Sequence, residues 1–213
     1  MKKITSLFLA VLIITLSAFS FNAFALPATE TDPVPEAELL SPKWFEEHGN
    51  EFSADASFSF LGTSAIEGKF WFKNGKFAFR VTDSIVPTTV SQKLIYTGGE
   101  TVTTFYTDIP FFYINKPINL SSFNIDDLSF IKAETTDEGY YVELFATPNE
   151  SLYVGMAFKN GKLERFLLTE TGLEEIEFII TSYEVDDSEF DIPFLAINAT
   201  PIYRFFVLLG IVK

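Results

Sequence analysis

Ile66-Glu67-Gly68-Lys69-Phe70-Trp71-Phe72-Lys73-Asn74-Gly75-Lys76-Phe77-Ala78-Phe79-Arg80-Val81 decides the fold. Two runs rich in aromatic residues flank an Asn-Gly pair, which supplies the two positive-φ positions of a tight hairpin turn. Upstream, Phe52, Ala54, Ala56, Phe58 and Phe60 alternate with Ser53, Asp55, Ser57 and Ser59, so the large side chains lie on one face of an extended strand. Downstream, Leu94-Ile95-Tyr96, Gly98-Gly99 and Val102 to Tyr106 predict a second hairpin. Further strands are expected at Phe130 to Glu134, Tyr140 to Ala146, Leu152 to Phe158, Leu163 to Leu168 and Ile176 to Tyr183. Short strands joined by tight turns imply an antiparallel meander, because parallel neighbours need crossovers of roughly a dozen residues. Phe72-Lys73-Asn74-Gly75-Lys76 recurs as Phe158-Lys159-Asn160-Gly161-Lys162, but the flanks differ, which favours convergent hairpin chemistry over a duplication.

Two apolar segments interrupt or follow this pattern. Phe111 to Phe123 reads as a lid, a plug or a packed loop between strands. Ile202 to Val212 is too short to cross a bilayer as a helix, which takes about 20 residues. Packing on the domain as an added edge strand or a cover over its open side is the favoured reading, with a membrane interface or a partner contact as the alternatives.

Towards the N-terminus, Lys2 and Lys3, the apolar run Leu7 to Leu16 and Ala23-Phe24-Ala25 have the order of a secretory signal over residues 1–25. An uncleaved membrane anchor is the alternative. Residues 26–40, with Pro27, Pro33 and Pro35 among Thr, Glu and Asp, read as a flexible tether. Ser41-Pro42 and Gly49 bracket a short helix with serine as its N-cap. Residues 41–213 then form a single mainly β domain.

Composition narrows the chemistry. The 213 residues are 47% hydrophobic and 21% charged, which fits a globular chain and excludes disorder throughout. With 29 acidic against 15 basic residues and no basic cluster beyond Lys2-Lys3, a phosphate backbone would be repelled, so no nucleic-acid partner is expected. Cysteine is absent and His48 is the sole histidine, leaving no thiolate nucleophile and no multi-histidine metal site. His48 reads as a solvated surface residue. Asp186-Asp187-Ser188-Glu189-Phe190-Asp191 lacks the spacing and glycine of a calcium loop and reads as a solvated turn. No phosphate-binding loop, dinucleotide fingerprint or HExxH motif occurs, so neither an enzyme nor a cofactor or metal is expected.

Phenylalanine is the unusual component, with 25 residues, many at alternating positions. Phe58, Phe60, Phe70, Phe72, Phe77 and Phe79 are expected to line one concave apolar surface. That surface is either filled by the domain's own side chains or wrapped around an apolar ligand.

Three stretches resemble the periplasmic lipoprotein-carrier family of LolA type, with its relatives LolB, the N-terminal domain of RseB and the mycobacterial lipid-binding lipoproteins. Gly68-Lys69-Phe70-Trp71-Phe72-Lys73 leading to Phe77-Ala78-Phe79-Arg80 looks like the family's early hairpin with its arginine. Leu94 to Val102, ending in Phe105-Tyr106, is similar to the hairpin that follows. Ser182 to Pro193 resembles the closing strand. The resemblance implies an unclosed antiparallel half-barrel wrapped over short helical segments, with a cavity for acyl chains, and it implies that Arg80 contacts a lid. The function so expected is non-enzymatic carriage or binding of lipid, an acyl chain or a lipidated protein after export to the periplasm or the extracellular space. A cell-envelope interaction or sensor domain with a self-filled core and no ligand is the alternative.

Overall fold

The computed structural model describes residues 39–60, 63–117, 128–147, 152–170 and 175–209. The expected signal segment, most of the tether and the second half of the Phe111 to Phe123 segment lie outside them.

Twelve strands form one sheet: β1 (Glu51–Phe60), β2 (Thr63–Lys73), β3 (Lys76–Ser84), β4 (Gln92–Tyr96), β5 (Thr101–Tyr106), β6 (Phe112–Pro117), β7 (Ser129–Thr135), β8 (Tyr141–Ala146), β9 (Leu152–Lys159), β10 (Lys162–Glu170), β11 (Glu175–Ser182) and β12 (Ile197–Asn198). Their spatial order is β12-β6-β5-β4-β3-β2-β1-β11-β10-β9-β8-β7, so the sheet is unclosed, with β12 and β7 at its edges. All neighbours are antiparallel except β12, which pairs with β6 in parallel. The fold is mainly β, as expected, with two short α-helices among the described residues, α1 (Ser41–His48) and α2 (Thr200–Leu208). The two Asn-Gly turns have the predicted conformation: φ is 50° and 82° at Asn74 and Gly75, and 51° and 76° at Asn160 and Gly161.

Alternation along the strands creates two faces with different coverings. The inner face carries the main core, including Phe52, Phe70, Phe72, Phe77, Phe79, Tyr96, Met156, Phe158, Phe166 and Phe178. Helix α1 packs there through Trp44, whose ring lies 5.8 Å from Phe52. On the outer face a smaller core joins Ala78, Ile95 and Phe105 to Val185 and Phe190. The last two belong to a strap that leaves β11, crosses the outer face and ends in β12. Charge pins the strap: Lys73 Nζ is 3.2 Å from Glu51 and 3.5 Å from Asp187, and it donates to the Val185 carbonyl at 2.8 Å. Lys93 pairs with Glu189 at 2.7 Å.

Four expectations change. Residues 112–117, read as lid or loop, form β6, because Thr101 to Phe105 offers it an antiparallel partner. Ser182 to Pro193, likened to a closing strand, contains a 3-10 turn at Asp187–Phe190 started by the Asp186 carboxylate, which accepts from Ser188 N. Where an edge strand or a cover is expected within Ile202 to Val212, residues 202–208 are helical, in α2, and residues 210–212 lie outside the described ones; pairing at the edge stops at Asn198, and Pro201 opens the helix. Finally, Leu40, placed in the tether, is the N-cap of α1, and Ser41 makes no side-chain cap.

Gly68 is required by its neighbours. A Cβ there would stand 2.6 Å from the Phe79 ring and 2.4 Å from the Arg80 carbonyl oxygen. Gly68→Ala is therefore expected to cost about 1–3 kcal/mol in urea unfolding, as overpacked sites do. The strap gives a pH prediction. The hydrogen bond of Lys73 to Glu51 and the charges of Asp187 and Glu51 raise the Lys73 pKa above its ordinary 10.5 against a smaller opposing desolvation. A raised pKa stabilises the fold fully below 10.5 and loses that contribution as pH rises through the folded value. The stability difference between the native chain and Lys73→Gln should thus stay level from neutral pH to about 10 and shrink above it.

Candidate functional site

Cross-strand register assembles the inner face into continuous rows. Ile180, Ala54, Phe70, Phe79, Leu94, Thr104 and Ile114 follow one another across β11, β1, β2, β3, β4, β5 and β6. Phe52, Phe72, Phe77 and Tyr96 form the next row. Phe58, Phe70, Phe72, Phe77 and Phe79 therefore share one face, as the alternation predicts. The backbone of Phe60 is in β1, and its side chain lies outside the described ones. Arg80 does not join these residues. It alternates with Phe79 and so stands on the outer face, its guanidinium 5.9 Å from the Trp71 ring centroid. The lid contact that the resemblance implies for Arg80 thus cannot be made from the aromatic face.

The phenylalanines fill most of their own space. Phe70 and Phe72 have no exposed surface. The Phe70 ring meets Phe178 edge-on at 5.2 Å and lies 5.9 Å from Phe52. A cavity of about 20 Å³ remains between Ala56, Ser57, Phe58, Ile66, Phe79, Ile176 and Phe178. It lies at the far end of β1 from Phe52 and α1, and its walls are almost wholly apolar.

Two polar groups interrupt this face, and sequence reading passed over both. Glu143 of β8 is fully buried. Its carboxylate accepts hydrogen bonds from Leu40 N through Oε1 and from Ser41 N at 3.1 Å through Oε2. It satisfies two of the free N–H groups that open α1, the role expected of Ser41, and it places negative charge at the helix's positive end. The signal was present: Tyr141 and Phe145 share a face by period two, and Glu143 stands between them. Thr104 is the second group. Its buried Oγ1 has no hydrogen-bond partner among the described residues.

At the α1 end the layer is braced further. Trp44 Nε1 donates to Tyr183 Oη at 3.3 Å, and Tyr183 donates in turn to the Leu163 carbonyl at 3.0 Å. His48, expected to be solvated, stacks on Tyr183 at 4.3 Å. Among the described residues no group of three His, Cys, Asp or Glu side chains is arranged to hold a metal, and no helix is long and apolar enough to cross a membrane.

Compared with known families and curated proteins, the chain matches none. Among solved structures it is similar to the crystal structure of an uncharacterized conserved protein from Thermus thermophilus, with a TM-score of 0.49 and 10% identity, covering 76% of this chain and 97% of that one.

Replacing Glu143 by Leu would leave the N–H groups of Leu40 and Ser41 unpaired and release the start of α1. A loss of about 1–3 kcal/mol is expected. In a Trp71→Phe background the emission of Trp44 should shift to the red, reporting exposure of the helix.

Proposed function

We propose that this chain is an exported, non-enzymatic binder or carrier of lipid, an acyl chain or a lipidated protein, and that the ligand lies along the inner aromatic face. The observation that carries the reading is the apolar seam between Phe58, Ile66, Phe79, Ile176 and Phe178 in a sheet that does not close. Thr104 supports it, since an unpaired buried hydroxyl in the same layer suits an ester or carboxyl oxygen. The resemblance of the two early hairpins to periplasmic lipoprotein carriers supports the same ligand class, and the secretory character of residues 1–25 supports export.

The seam at about 20 Å³ is far below the roughly 300 Å³ at which small-molecule pockets begin. Binding on this reading therefore proceeds by displacement: Phe58 and Phe79 swing away, and an acyl chain takes their place. Each methylene buried contributes about 0.8 kcal/mol, which offsets the lost aromatic contacts only for a long chain. The smallness of the seam also favours a second reading, in which the core is permanently filled and the domain serves contact or sensing in the cell envelope.

Mass spectrometry of organic extracts from the purified chain, paired with a fluorescent fatty acid, separates the two. Lipid in the extract and saturable probe uptake are expected, with uptake raised by Phe79→Ala, which widens the seam. A lipid-free extract and an unshifted probe, for a variant and native chain that both remain folded, would leave the self-filled domain.

A further inference from the structure

We propose that helix α2 and the loop before it dock on the surface of an anionic phospholipid bilayer. This inference does not depend on whether the aromatic face takes a ligand. Ile202, Phe205, Phe206 and Leu209 follow the i, i+3, i+4, i+7 spacing of one helical stripe, and all four are exposed. An amphipathic helix of a folded domain normally turns such a stripe inward. Here the opposite side is the one held: Asn115 N donates to Thr200 Oγ1 at 2.8 Å, and Lys116 lies over the Tyr203 ring at 5.7 Å. The stripe points away from the sheet. Leu208 beside it is 85% exposed, and Phe194 in the loop before β12 is 99% exposed. The pairing of Ile197 with Phe112 joins these to the exposed side chains at the start of β6.

Charge selects the occupant. From Ile192 to Leu209 no acidic residue occurs, and Arg204 is the single charged side chain, although the chain carries a net charge of −14. Lys116 adds a second cation beside Tyr203. The patch is thus apolar and locally basic on an acidic protein, and at physiological salt charges beyond a Debye length of about 8 Å are largely screened. Anionic headgroups meet the local cations, while the acyl boundary accepts the side chains without needing a shaped groove. A second copy suits the patch less well, because it presents the same local cations and an outward stripe with no matching hollow. The helix is too short to cross a bilayer, so it lies in the interface.

The test is sedimentation of the chain, as recovered from exporting cells, with vesicles of phosphatidylcholine alone and of phosphatidylcholine mixed with phosphatidylglycerol. Partition into the mixed vesicles is expected to exceed that into the neutral ones about fivefold. The double substitution Phe205→Ser and Leu209→Ser should reduce it about tenfold while leaving the melting temperature unchanged. Arg204→Glu should abolish the preference for the mixed vesicles. If the helix pair destabilises the fold, Phe194→Ser with Leu195→Ser in the loop gives the same readout. Equal sedimentation of native and serine variants would overturn the proposal. So would a concentration-dependent dimer without vesicles that the serine pair abolishes, which would assign the patch to a second copy.

Discussion

Phe70 is the residue on which the two halves of the sheet meet. Its ring, without exposed surface, contacts Phe52 of β1, Phe77 of β3 and Phe178 of β11, which ties four adjacent strands through one side chain. An open sheet has no closure to hold its curvature, so cohesion has to come from side chains packed across strands. Aromatic rings suit this because each bridges more than one neighbour. The same demand explains Gly68, whose missing Cβ makes room for the Phe79 ring beside the row.

The outer face solves the opposite problem with the opposite chemistry. Its buried area is small, joining Ala78, Ile95 and Phe105 to Val185 and Phe190, and the strap is fixed largely by charge. Lys73 and Lys93 bring their ammonium groups to Glu51, Asp187 and Glu189. This routing carries the chain from β11, near the middle of the sheet, to the β6 edge, where two residues pair and α2 begins. Without the strap the apolar segment after Thr200 would not be delivered to that edge.

Most of the sheet was legible because its signals are local. Alternation in β1 to β3 and the two Asn-Gly turns depend on neighbouring residues alone, and they specify both strand pairing and the shared face of Phe58, Phe70, Phe72, Phe77 and Phe79. The errors fall where a distant partner decides. Phe112 to Pro117 becomes a strand because β5 has a free edge. Ser41 loses its capping role because Glu143, 102 residues away in sequence, supplies the carboxylate. The apolar run after Thr200 is rich in strand formers, yet Pro201 and the end of the edge pairing make it a helix. Arg80, for which the resemblance implies a lid contact, is placed by period two on the face opposite Phe79, beside Trp71.

The two ends of the inner layer differ in how firmly they are held, and this decides where it can yield. At the Phe52 end, α1 is fastened by the Glu143 carboxylate, and Trp44 is linked through Tyr183 to the Leu163 carbonyl. Opening there would break the buried hydrogen bond of Glu143 to Ser41 N together with several part-buried ones. At the Phe58 end, the strands β1 and β2 shift register beyond Phe58, and the cavity between Ile66, Phe79 and Ile176 has almost purely apolar walls. Parting those side chains costs dispersion contacts and no side-chain hydrogen bonds, and a hydrocarbon guest could restore the contacts. The layer is therefore fastened by side-chain hydrogen bonds at α1 and by apolar packing alone around the seam.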